Sequence, residues 1–204
     1  MEFLNIKSLI ILLFLAIVPM ATAQINPSQV FSDSYSYEAS GDYQKAIGVL
    51  QSVSGYDYHK SLRLGWLYYL SKDYETSKKH YRSAIQLAPK AVEALLGLCY
   101  PLEAQKKGDE LEKVYKQILT LDKMNSKVNY ALGNIYYYRK DFQQAEIYFE
   151  LVQAMYPFDY YSTLMTAWTK YFLGKKSDAK RLFNTVLIIS PADQSAKDGL
   201  KLLK

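Results

Sequence analysis

The chain has 204 residues, 50% of them hydrophobic and 22% charged, which is enough for a packed domain and excludes intrinsic disorder. A formal charge of +5 is too mild to single out nucleic acid as a partner. Tyrosine is over-represented, with 20 copies beside two tryptophans and eight phenylalanines.

The chain opens with the pattern of a targeting signal. Met1–Lys7 is a short start carrying one lysine, Ser8–Met20 is an apolar run with Pro19 near its end, and Ala21-Thr22-Ala23 supplies the small residues that a signal peptidase needs. This predicts a secretory signal peptide over 1–23, cleaved after Ala23, with an uncleaved anchor as the alternative. The apolar run is shorter than the roughly 20 residues of a typical span, so no stable membrane span is expected after cleavage. No cysteine stands directly after the cleavage site, which argues against a lipid anchor, and no N-x-S/T acceptor supports a glycosylated product. Cys99 is the only cysteine, so no internal disulfide forms. Export to a bacterial envelope, into the periplasm or beyond the cell, is the expectation.

Beyond the leader the chain repeats itself every 34 residues. Gly65, Cys99, Gly133 and Ala167 form a column of small residues. Ser77, Leu111, Ala145 and Ala179 form a second, with Leu111 oversized. Tyr81, Tyr115, Phe149 and Phe183 make an aromatic column, and Pro89, Lys123, Pro157 and Pro191 a fourth. Two antiparallel helices approach closely only where one presents a small side chain, and an aromatic then fills the space where the second helix packs back. Proline ends that second helix, because it lacks the N–H and clashes with the preceding turn. Lys72-Asp73-Tyr74 and Lys140-Asp141-Phe142 read as turns, with the aspartates capping the following helix.

At these residues the sequence resembles the tetratricopeptide-repeat (TPR) family. Leu64-Gly65-x-x-Tyr68 and Leu132-Gly133-x-x-Tyr136 match the family's first-helix pattern. Ala145-x-x-x-Phe149 and Ala179-x-x-x-Phe183, each followed by Pro157 or Pro191, match the second. The resemblance implies an all-α, right-handed solenoid of about five helix hairpins, over 27–57, 58–91, 92–125, 126–159 and 160–193. A short capping helix closes it over 194–204, with Ala196, Leu200 and Leu203 on one face and Lys197, Lys201 and Lys204 on the other. Some residues depart from the pattern. Asp33 replaces a large apolar residue, Lys170 replaces the aromatic found at Tyr68 and Tyr136, and Gly108 occupies the third turn. Pro101 falls inside a first helix, where it predicts a kink.

The resemblance also assigns a concave groove to the first helices. Its inward positions are Phe31 and Tyr35; Leu62, Trp66 and Tyr69; Leu96, Tyr100 and Glu103; Tyr130, Asn134, Tyr137 and Tyr138; and Leu164, Trp168, Tyr171 and Phe172. Two uses of these aromatics compete: filling space between adjacent helices, and forming an exposed binding surface. The candidate groove residues are Trp66, Tyr69, Tyr100, Tyr130, Asn134, Tyr137, Trp168 and Tyr171. The Lys, Asn and Arg set with which some TPR domains clamp a terminal carboxylate is matched only by Asn134.

Chemistry-bearing residues are sparse. His59 and His80 stand 21 apart with no partner at metal-ligand spacing, and Cys99 sits in the small-residue column, so neither cofactor nor metal is expected. No phosphate-binding glycine loop or nucleophile elbow is present, so an enzyme is not expected. The sequence therefore predicts an exported scaffold that binds a protein segment in an aromatic groove. Binding of envelope polysaccharide or peptidoglycan and self-assembly are the alternatives.

Overall fold

The computed structural model describes residues 26–204, so the leader expected over 1–23 lies outside the described residues. Among the described residues the chain forms helices and no strand. In order these are α1 (Pro27–Ala39), α2 (Tyr43–Gln51), α3 (Asp57–Leu70), α4 (Tyr74–Leu87), α5 (Val92–Ala104) and α6 (Gly108–Leu121). There follow α7 (Ser126–Tyr138), α8 (Phe142–Met155), α9 (Tyr160–Phe172), α10 (Lys176–Ile189) and α11 (Gln194–Leu202). Each helix packs on the next in sequence, so five hairpins stack in chain order and α11 closes the array against α10 and α9.

The hairpin turns share one design. At the end of α3 the Asp73 N–H donates to the Tyr68 carbonyl at 2.9 Å and the Lys72 N–H to the Tyr69 carbonyl at 3.0 Å. The same pair of bonds recurs at Gly41/Asp42, Lys106/Lys107, Lys140/Asp141 and Gly174/Lys175. This is a Schellman closure, which needs a left-handed residue at its centre. Glycine supplies it at 41 and 174, but Lys72, Lys106 and Lys140 adopt φ of 65°, 56° and 62°. The side chains of Asp42, Asp73 and Asp141 then accept from the N–H of Lys45, Thr76 and Gln144, capping α2, α4 and α8. Lys107 and Lys175 occupy the same position before α6 and α10 and make no such bond.

The column residues meet as their sizes require. Tyr81 is 3% exposed and lies against Gly65 of its own hairpin and Gly97 of the next. Phe149 lies over Gly133, and Phe183 over Gly199 of α11. The Ser77 hydroxyl, fully buried, donates to the Gly65 carbonyl at 2.7 Å, which explains a small polar residue in the second column. Pro89, Pro157 and Pro191 each stand two residues beyond the end of a second helix. Pro101 does not interrupt α5, which continues three residues past it to Ala104. The Gly97 carbonyl loses its helical partner there, since proline has no N–H.

The departure at Lys170 also has a structural reason. Tyr136 on α7 donates its hydroxyl to Glu112 on α6 at 3.1 Å. One repeat later the buried Lys170 on α9 reaches the equivalent Glu146 on α8 at 2.6 Å, and Glu150 as well. Both carboxylates tie a second helix to the following first helix, and donor and acceptor keep the same spacing.

Candidate protein-binding face

The first helices carry the exposed aromatic surface. On α3 the spacing of Leu62, Trp66 and Tyr69 places them on one stripe. Trp66 and Tyr69 meet Tyr100 of α5 at 5.6 and 5.4 Å between ring centroids, and the Lys127 ammonium lies 5.1 Å over the Tyr100 ring. A second cluster joins the last two hairpins. Tyr137 meets Phe172 at 6.0 Å, Phe142 stacks on Phe172 at 4.6 Å, and Phe172 contacts both Trp168 and Tyr171. Tyr138 at its margin is 78% exposed.

All eight candidate residues are half-buried. The structure brings Trp66, Tyr69 and Tyr100 into one cluster and Tyr137, Trp168 and Tyr171 into the other, so these rings join neighbouring repeats while still reaching solvent. The two indoles are also tethered. Trp66 donates to Glu38 of α1 at 2.7 Å, and Trp168 donates to Ser195 of α11 at 2.8 Å while its ring packs on Phe183. Tyr130 packs against Phe149 and, with Tyr156, Asp159 and Tyr161, lines a crevice of about 340 Å³. Glu103 accepts from Tyr115 of α6 at 2.5 Å.

A larger hollow, of about 990 Å³, lies at the other end, between α1 and α3. Phe31 and Tyr35 from α1 and Leu62, Trp66 and Leu70 from α3 supply its apolar walls. At its base Arg63 is only 7% exposed. The guanidinium forms an ion pair with Glu38, donates to the Ser34 carbonyl at 3.1 Å and the Ser34 hydroxyl at 3.3 Å, and lies 3.9 Å from the Tyr35 ring centroid. Such a buried charge is tolerable because every contact around it compensates the lost hydration. Sequence reasoning found Phe31, Tyr35, Leu62 and Trp66 but missed the other lining residues, among them Arg63, Glu38, Tyr43, Tyr56 and His59. Arg63 stands one residue after Leu62, off the stripe of inward positions, and only the placement of α1 turns it into the cleft.

Elsewhere the titratable groups serve the fold. Burial pushes the Cys99 thiol up to about 12, and the thiol donates to the Leu95 carbonyl at 3.3 Å. His80 is half-buried and stacks on Tyr68 at 5.3 Å; burial lowers its pKa. Among the described residues no group of three or more His, Cys, Asp and Glu side chains could hold a metal, and no helix is long and apolar enough to cross a membrane.

Stacked hairpins with an aromatic inner surface and a cleft at one end define an α-solenoid binding scaffold. Residues 62–91 and 126–159 match the family model of the tetratricopeptide repeat. Among solved structures the chain is similar to a tetratricopeptide repeat protein from Parabacteroides merdae ATCC 43184, with a TM-score of 0.70 at 18% identity, over 86% of this chain and 71% of that one. It is also similar to MamA (AMB-1), with a TM-score of 0.66 at 17% identity, over 82% of this chain and 93% of that one. YrrB, a TPR protein with an unusual peptide-binding site, gives 0.65 at 11% identity, over 84% and 90%. At these identities the likeness is one of fold. No curated protein matches the chain. The chain thus carries two matched tetratricopeptide repeats within the fold of TPR proteins, and that fold is in general a scaffold for protein–protein interaction.

Proposed function

We propose that the protein is an exported adaptor that holds a segment of a partner protein against its first helices, with the α1/α3 cleft as the principal anchor site. The observation that carries the reading is the cleft itself: about 990 Å³, walled by large apolar and aromatic side chains and opening on solvent beside Tyr35 and Tyr56, which are 58% and 56% exposed. A hollow of that size and lining is where binding energy concentrates, because aromatic side chains bury large area at low entropic cost. YrrB, a TPR protein with an unusual peptide-binding site, lends support from the same fold. Export rests on the apolar run Ser8–Met20 and the Ala21-Thr22-Ala23 motif that follows it.

Glycan binding draws no support from the arrangement of the aromatics. Stacking on each other covers one face of both Phe142 and Phe172 and withdraws it from any sugar ring.

Two measurements test the proposal. Cell fractionation should place the chain outside the cytoplasm, starting at Gln24; an intact chain in the cytosol would remove export. Crosslinking in cells followed by mass spectrometry should identify a protein partner. Its capture should fall at least tenfold for the Phe31→Ala/Tyr35→Ala double variant while helical circular dichroism is unchanged. Undiminished capture would show that the cleft is not the anchor.

A further inference from the structure

We infer that the α1/α3 cleft receives an amphipathic α-helix of the partner, apolar face inward, and not an extended segment. The inference rests on the reading of this cleft as the partner's anchor site and names the form the partner takes there.

Hydrogen bonding decides between the two forms. Every residue of an extended peptide carries an N–H and a C=O that need partners once water is displaced. Phe31, Leu62 and Leu70 offer none, and the Trp66 N–H is already taken. The polar groups at the base are already engaged with one another: Arg63 holds Glu38 and Ser34, and the remaining Glu38 oxygen accepts from the Trp66 indole. What is left lies at the rim, in the hydroxyls of Tyr35, Tyr43 and Tyr56 and the exposed His59 imidazole. Among the described residues there is also no strand edge for an incoming strand to extend. An extended peptide that turned its backbone into the cleft would leave most of it unpaired there. A helix brings its backbone already satisfied and needs only side-chain burial from the protein.

Charge and shape point the same way. Arg63 and Glu38 cancel, so the base carries no net charge for a partner's ion to answer, and a charged anchor would be desolvated without compensation. The anchors are therefore large apolar side chains at i, i+3 or i+4, and i+7. The walls are helices of 13 and 14 residues, about 20 Å long, which suits a helix of similar length. α3 packs directly on α5, whereas on the α1 side Arg63 and Trp66 of α3 reach across to Ser34 and Glu38 through polar contacts.

The test uses two synthetic peptides of equal leucine content and equal net charge, each about 14 residues long. The first is held helical by lactam bridges, with leucines on one face. The second alternates leucine with polar residues around a central proline that prevents helix formation. Trp66 fluorescence, read in the Trp168→Phe background, reports occupancy. The helical peptide should bind at least tenfold more tightly, and both Tyr35→Ala and Leu62→Gln should weaken it by a similar factor.

Equal or tighter binding of the proline peptide, or helix binding indifferent to both substitutions, would overturn the inference. Displacement of the probe by a peptide of residues 8–20 would make the chain's own leader the occupant. Dimerisation that Tyr35→Ala abolishes would give that place to a second copy. Either result also overturns the inference. If neither peptide binds while capture of the cellular partner still depends on Phe31 and Tyr35, the adaptor reading stands and the helix falls.

Discussion

Gly97 shows how closely the second and third hairpins approach. A Cβ built there would lie 2.1 Å from the Tyr81 ring, and that ring is 3% exposed with nowhere to retreat. Gly97→Ala should therefore destabilise the protein by about 1–3 kcal/mol in chemical denaturation, the usual cost of overpacking. Tyr81→Leu should recover part of that loss in the double variant, because the two residues share one space. The turn lysines make the opposite case. Lys140 holds a left-handed backbone at φ 62° and forms no ion pair among the described residues. Lys140→Gly should raise stability by about 0.5–1 kcal/mol, relief of the Cβ clash exceeding glycine's added unfolded-state entropy. A decrease would mean that the lysine contributes something the turn geometry hides. The small and aromatic columns were legible in the sequence because each tolerates few residue types. The left-handed lysines were not, since lysine carries no signature of positive φ; only their place in the 34-residue register marks them.

Between elements, carboxylates on second helices bind donors on the next first helix. Glu112 is the clearest instance. The hydrogen bond from Lys116, with those from Arg139 and Tyr136, outweighs burial and holds its carboxyl down at about 2, from an ordinary value of 4.5. A carboxyl whose folded pKa is lowered stabilises the protein above its unfolded pKa and loses that contribution as pH falls towards the folded value. Stability should thus decline between about pH 4.5 and 2. Glu112→Gln should remove about 1 kcal/mol at pH 7, since solvent screens the half-exposed Lys116 and Arg139, and should flatten the acid decline. Acid unfolding curves that coincide for the two proteins would rule out this role. Burial works against ionisation of Glu146, but the bonds from Lys170 and Lys175 prevail and lower its pKa. The sequence marked Lys170 as a departure from the family's aromatic. Its partner could not be read from one helix alone, because Glu146 comes from the preceding hairpin.

At the scale of the molecule, the repeat made the solenoid legible, since a hairpin that cannot bury its apolar face alone must stack on its neighbours. The binding face was legible only in part. Phe31, Tyr35, Leu62 and Trp66 follow from position within the repeat. The cleft they line depends on how far α1 stands from α3, which periodicity does not encode. It adjoins the one described hairpin with a short second helix, nine residues in α2 against fourteen in α4. Further along, Tyr137, Phe172, Trp168 and Tyr171 contact one another across repeats, so they contribute packing as well as surface. The most direct test is hydrogen–deuterium exchange of residues 24–204 with and without the crosslinked partner. The account predicts added protection along α1 and α3, strongest around Tyr35 and Leu62, with α4, α6 and α8 unchanged. Protection confined to those second helices, with α1 and α3 exchanging as in the free protein, would contradict it.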